Sequence, residues 1–254
     1  MRYLLKFLQR VYVLYALVLF VILMIPVFIW SLVATLFGRI RAGNLVYAAC
    51  MVWADLWFAL VLIRHKNVFY HKPARSQSYI FVANHISYLD AALVPKVFRR
   101  PVRPLGKVEM ARVPVFGTIY KNAIVSVDRS SSANRTKSVQ VLKSILRKGI
   151  SVLVFPEGTF NETGRPLKSF YNGAFRIAIE TGTPVQPVLF LDSYSRMKTT
   201  AFLSLNPGRS RAVFLAPIPV DQFTLKDVTL LKNKVYEVMD EELRKHGAEW
   251  ITEE

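Results

Sequence analysis

Apolar and polar positions divide the chain into two stretches of different texture. From Val11 to Phe37 no charged residue occurs. Wound as a helix at about 1.5 Å per residue, this run reaches roughly 40 Å, more than the ~30 Å hydrocarbon core of a bilayer. Pro26 stands inside it and is expected to kink or break the helix. After a connector from Gly38 to Asn44, a second apolar run extends from Leu45 to Ile63, with Asp55 in its middle. A carboxylate at bilayer mid-depth costs on the order of 3 kcal/mol. The second run is therefore expected to lie shallow, to face protein, or to keep Asp55 neutral or paired. Trp53 and Trp57 flank Asp55 one turn apart, which suits an interfacial depth. Residues 1–66 read as a hydrophobic two-helix membrane segment. It is either a spanning hairpin or a wedge in one leaflet; two buried core helices are the remaining arrangement.

From about Asn67 the pattern changes to short apolar runs alternating with amphipathic ones. Strands are expected at Tyr79–Ala83, Ala123–Val127, Ser151–Phe155, Val185–Phe190 and Ala212–Leu215. Helices are expected over Arg135–Lys148, with Ser132 as cap and Gly149 as stop, over Gly173–Glu180, and over Leu225–Lys245 behind the capping box Thr224–Asp227. This alternation predicts an α/β domain over residues 67–254, with a largely parallel sheet flanked by helices. Such sheets carry their ligands at the carboxyl ends of the strands.

Composition narrows the partners. The chain has 254 residues, is 52% hydrophobic and carries a net charge of +17. The charge is +6 over residues 1–66 and +11 over the remainder. High apolar content with strong basicity points to a membrane surface and to anionic lipid or phosphate. No helix dense in Lys and Arg and no nucleic-acid motif is present, so nucleic acid is not expected as a partner. A single cysteine, Cys50, allows no internal disulfide and has no metal-ligand neighbours, so no metal is expected.

Three stretches carry candidate chemistry. The first, Asn84 to Asp90, follows the strand at Tyr79–Ala83. On a continuous helix, positions five apart differ by about 140° in direction, so His85 and Asp90 would not meet. Ser87-Tyr88-Leu89-Asp90 fits a capping box, which starts a helix at that point and leaves His85 free to fold back onto Asp90. From these residues alone, a capped helix with a bystander histidine is as good a reading as a catalytic pair. In the second stretch the strand from Ser151 runs into Phe155-Pro156-Glu157-Gly158-Thr159. Gly158 permits close approach of a ligand, and free N–H groups there suit an anion. The third, Val125 to Arg129, ends in an arginine suited to bidentate phosphate recognition or to a surface pair with Asp128.

Together the three resemble the glycerolipid acyltransferase family, specifically the 1-acyl-sn-glycerol-3-phosphate acyltransferases. Asn84, His85 and Asp90 match its Asn-His-x-x-x-x-Asp motif. Arg129 matches the arginine of the second motif, Phe155 to Thr159 the third, and Thr183 to Val188, with Pro184, the fourth. Gly106-Lys107-Val108-Glu109 is a further similar run. The resemblance covers roughly residues 68–220. Two departures stand out. Phe160-Asn161 follows Thr159 where Arg or Ser is frequent, and Tyr171 stands where a Lys is common, with Lys168 upstream as its substitute.

The resemblance implies direct transfer from acyl-CoA or acyl-carrier protein as co-substrate, with no further cofactor. The acceptor would be the sn-2 hydroxyl of 1-acyl-sn-glycerol-3-phosphate, giving phosphatidic acid; the alternative is a different lyso-lipid, a lyso-ornithine lipid or another lysophospholipid. His85 would be the general base and Asp90 its partner. Arg129, Glu157, Gly158, Thr159 and Lys168 would hold the phosphate, with Asn84, Ser87, Lys107, Phe155, Pro156 and Pro184 in support. The catalytic domain is expected on the cytoplasmic side. The contrasting class is a non-catalytic protein that binds anionic lipid.

Overall fold

A run of β-branched and aromatic residues too short for a stable helix is satisfied best between two other strands. Ile80-Phe81-Val82-Ala83 is such a run, fully buried, and it lies in the middle of the sheet. The computed structural model describes residues 2–127 and 132–252. In chain order these form α1 (Arg2–Ala34), α2 (Arg39–Leu60), β1 (Ile63–Phe69), β2 (Ile80–Ala83), α3 (Asp90–Val97), β3 (Val102–Lys107), α4 (Phe116–Ala123), β4 (Val125–Val127), α5 (Ser132–Arg147), β5 (Ser151–Val154), α6 (Gly173–Thr181), β6 (Val185–Phe190), α7 (Ser193–Arg196), β7 (Gly208–Phe214) and α8 (Val228–Lys245).

The seven strands form one sheet in the order β1-β7-β6-β2-β5-β3-β4. Every pairing is parallel except β6 with β7. The largely parallel sheet expected from the alternation is present, with β1 and β7 reversed at one edge.

Alternation along the strands feeds two cores. Phe81, Ala83, Leu153, Val188 and Phe190 point to one face, where α1, α2, α3 and α4 pack. Ile80, Val82, Val152 and Leu189 point to the other, covered by α5, α6 and α8. The N-terminal helices therefore supply one layer of the sandwich.

α1 is 33 residues, or about 50 Å, and runs unbroken through Pro26. Of the kink or break expected there, the break is absent. A proline forfeits one backbone bond, and the adjacent turns are held by Met24 and Val27, both buried in the hairpin core. α2 returns antiparallel to α1: the Trp57 indole donates to the Ala16 carbonyl at 2.9 Å and the Tyr12 hydroxyl to the Val61 carbonyl at 2.6 Å.

The inner side of α2 is docked on the domain. The Tyr47 hydroxyl bonds the Phe98 carbonyl, and buried Arg103 of β3 donates to Asn44 at 2.6 Å. A Cβ on Gly43 would lie 2.6 Å from the Arg103 guanidinium and the Asn122 carbonyl, so only glycine fits there. Asp55 is half-exposed and paired, with Lys96 at 2.7 Å and Arg99 at 2.7 Å.

Two strands lie outside the expected set. β1, Ile63–Phe69, carries Arg64 and Lys66 on a face exposed to water and His65 on the other, where its ring bonds Ser210 and Asn67; the boundary drawn at residue 66 falls inside it. β3 contains Pro104 and Gly106 and reads as a loop in isolation. β7 begins at Gly208 rather than Ala212, and Ala123 ends α4 rather than opening β4. α8 starts at Val228: Asp227 Oδ2 accepts both the N–H and the hydroxyl of Thr224 and closes a separate turn first.

Candidate active site

The carboxyl ends of β2 and β5 are adjacent, since these strands pair in parallel. The turn after β2 begins with buried Asn84. Its side chain takes the Phe190 N–H at 2.8 Å and returns a bond to the Phe190 carbonyl at 3.0 Å, extending the β2–β6 pairing past the end of the ladder. The chain then bends. Ser87 Oγ accepts the Leu89 N–H at 3.0 Å and donates to the Met197 carbonyl. Asp90 opens α3 and is fully buried. Its Oδ2 accepts three N–H groups: Ile86 at 2.8 Å, Ser87 at 2.9 Å and His85 Nδ1 at 2.9 Å.

The capping turn and the His–Asp contact therefore coexist. A carboxylate accepts only, so Nδ1 carries the proton and Nε2 the lone pair. The His85 side chain is 22% exposed, and among the described residues Nε2 has no hydrogen-bond partner. Such a nitrogen can take a proton from a substrate hydroxyl while the buried carboxylate stabilises the charge that appears on the ring.

The turn after β5 braces the first. Gly158 has φ +73°, a left-handed conformation that a side chain resists. Glu157 does not face the open side, contrary to the phosphate contact expected of it. It is 1% exposed, and its two oxygens accept the His85 N–H at 2.8 Å and the Lys168 N–H at 2.9 Å. Burial pushes its carboxyl up to about 7, against the pull of those two backbone bonds. Thr159 is exposed, and its hydroxyl takes a bond from Lys168 Nζ at 2.8 Å, so these two present a cation and a hydroxyl together beside the turn.

Phe155 stacks on the His85 ring at 4.2 Å, and buried Pro156 accepts the Tyr171 N–H at 2.9 Å. Lys107 is exposed at the carboxyl end of β3, beyond β5 from His85. Pro184 lies at the opposite end of the sheet, where its carbonyl accepts the Ile80 N–H at 3.0 Å, so its part is in strand pairing. Arg129 lies outside the described residues.

Phe160 and Asn161 were visible in the sequence only as departures. The Phe160 ring covers His85 at 4.2 Å, and the Asn161 N–H bonds the His85 carbonyl at 2.8 Å. Among the described residues no cluster of three or more metal-ligating side chains occurs.

Fold and site define the class: an α/β enzyme with a histidine–carboxylate pair at the carboxyl edge of its sheet. The family model for the acyltransferases matches residues 63–191. The 1-acyl-sn-glycerol-3-phosphate acyltransferase of Escherichia coli K12 is 29% identical over 180 residues, covering 68% of this chain and 71% of that one. The protein of the same name from Cocos nucifera is 24% identical, covering 80% of this chain and 66% of its own length. The crystal structure of the 1-acyl-sn-glycerophosphate (LPA) acyltransferase PlsC from Thermotoga maritima superposes with a TM-score of 0.73 at 21% identity, over 98% of both chains. The chain belongs to the acyltransferase family.

Proposed function

We propose that the protein transfers an acyl chain from acyl-CoA or acyl-carrier protein to the sn-2 hydroxyl of 1-acyl-sn-glycerol-3-phosphate, giving phosphatidic acid. One observation carries the reading: His85 is held through Nδ1 by buried Asp90, with no hydrogen-bond partner for Nε2 among the described residues. The names of the relatives supply the substrate class.

As the acceptor oxygen attacks the thioester carbonyl, its proton passes to Nε2 and the new C–O bond forms. The tetrahedral intermediate collapses with cleavage of the C–S bond, and the thiolate takes up the acceptor's proton from the imidazolium. A thiol pKa of about 8.5 makes this leaving group undemanding of a separate acid. Lys168 and Thr159, with Arg129, are assigned to the phosphate. Glu157 holds the loop that presents Thr159 and Lys168.

The N-terminal pair attaches the enzyme to its lipid. Both helices are long and apolar enough to cross a membrane. α1 leaves Leu14 63% and Val21 61% exposed, whereas α2 is docked on the domain and its Asp55 is paired with α3 and the residues after it. A spanning α2 would draw Lys96 and Arg99 into hydrocarbon, so we favour the one-leaflet wedge, with the catalytic domain on the cytoplasmic side. A cysteine at Phe37 is then predicted to stay unlabelled by an impermeant thiol reagent applied from the far side; labelling from there would establish a spanning hairpin.

The direct test is acyl transfer by the purified full chain in phospholipid vesicles. Lysophosphatidic acid, other lysophospholipids and a lyso-ornithine lipid are compared with each donor. A clear preference for lysophosphatidic acid is expected; preference for an unphosphorylated acceptor would overturn the assignment.

A further inference from the structure

The sequence motif accounts for the edge of the His85 ring, through Asp90, but not for its two faces. Phe155 lies on one at 4.2 Å between centroids and 21° between planes. Phe160 lies against the ring at 4.2 Å and 51°. Neither ring is loose. Phe155 packs edge-on against Phe190 at 6.1 Å, and Tyr88 packs edge-on against Phe160 at 4.7 Å. The residue after Phe160 is tied to His85 itself, through the Asn161 N–H on the His85 carbonyl.

We propose that Phe160 is a positioning residue for the transfer: with Phe155 it forms an aromatic clamp on His85. The clamp fixes the plane of the imidazole and favours the imidazolium as Nε2 takes up the proton. The proposal rests on His85 being the general base. The physical basis is the ring quadrupole, whose negative face attracts a cation within about 6 Å of the centroid, more strongly where water is excluded. The charge exists only from the transition state onward, so the effect falls on kcat rather than on substrate binding.

The test uses the full chain in phospholipid vesicles, with Phe160 replaced by Leu, by Tyr, and by phenylalanines bearing one, two and three ring fluorines. Fluorine withdraws density from the ring face while nearly keeping its shape. Phe160→Leu is expected to lower kcat roughly 5-fold, with the KM of donor and acceptor within about 2-fold. Phe160→Tyr is expected to stay near wild type. Each added fluorine should lower kcat further, in a stepwise series.

A flat fluorine series overturns the proposal whatever the leucine variant does. So does a change confined to the KM of the donor that varies with acyl length, which would make Phe160 an acyl-chain contact. His85→Ala, assayed in the same vesicles, separates the two readings. If it is inactive while the fluorine series is flat, the clamp alone fails; if it is fully active, the general-base reading fails and the clamp with it.

Discussion

The turns after β2 and β5 lie side by side and each buries a carboxylate, yet the two carboxylates are used differently. Asp90 gives one oxygen to a side chain, His85 Nδ1, as well as to two backbone N–H groups. Glu157 gives both oxygens to backbone alone, the N–H groups of His85 and Lys168. The first arrangement can respond to charge on the imidazole. The second holds two segments of main chain in register and is buried away from any substrate. One functional group, the carboxylate, at two adjacent strand ends thus divides the work: Asp90 conditions the base, and Glu157 holds the frame that the base stands in.

Mutations on the two turns should separate these roles. The largest effect is expected on the first. His85→Ala removes the base and should lower kcat by roughly 10²–10⁴, about 3–5 kcal/mol of barrier. Asp90→Asn removes the charge that faces the imidazolium and should lose on the order of 10²-fold or more. Both should keep the wild-type far-UV circular dichroism and vesicle binding; a loss of fold would turn Asp90 into a frame residue like Glu157.

On the second turn the signature is stability. Glu157 titrates near 7 in the folded protein and near 4.5 when unfolded, so between those values the folded state binds the extra proton. Stability therefore falls as pH rises from about 4.5 through 7, by on the order of 3 kcal/mol. Denaturation of Glu157→Gln at pH 5 and pH 8 should show that slope removed. It should also show a pH-independent loss of about 1–3 kcal/mol, because one of the two N–H groups loses its acceptor.

Gly158→Ala should cost roughly 1–2 kcal/mol, since φ +73° is left-handed, and the same denaturation experiment reads it. Smallest is Lys168→Ala, which should raise the KM of a phosphorylated acceptor about 10-fold with the donor KM unchanged, roughly 1.4 kcal/mol. Equal effects on both substrates would remove Lys168 from the phosphate site.

What was legible in the sequence was what is local. The His85–Asp90 contact closes over five residues, and the Ser87 turn that makes it possible is written in those same residues. Short continuous apolar runs gave the buried strands β2, β5 and β6, because each packs on both faces. β1 was hidden, since its side chains alternate between water and the docked α2. β3 was hidden because Pro104 and Gly106 belong to a strand only when neighbours on both sides accept them. The role of Glu157 depends on N–H groups 72 and 11 residues away, which no local pattern encodes. The docking of α2 likewise depends on Arg103 and Asn44, 59 positions apart. Phe160 looked like a missing cation in the sequence, because its contact with His85 exists only once both turns are folded.

Chemical rescue reads out whether His85 accepts the acceptor's proton. In His85→Ala, deletion of the ring leaves a space beside Phe155 and Phe160 of the shape of imidazole itself. Acyl transfer by this variant is measured in vesicles with and without added imidazole. The expected result is near-complete loss without imidazole and a saturable recovery with it, strongest where imidazole is neutral. Full activity of the variant without imidazole would exclude His85 as the base.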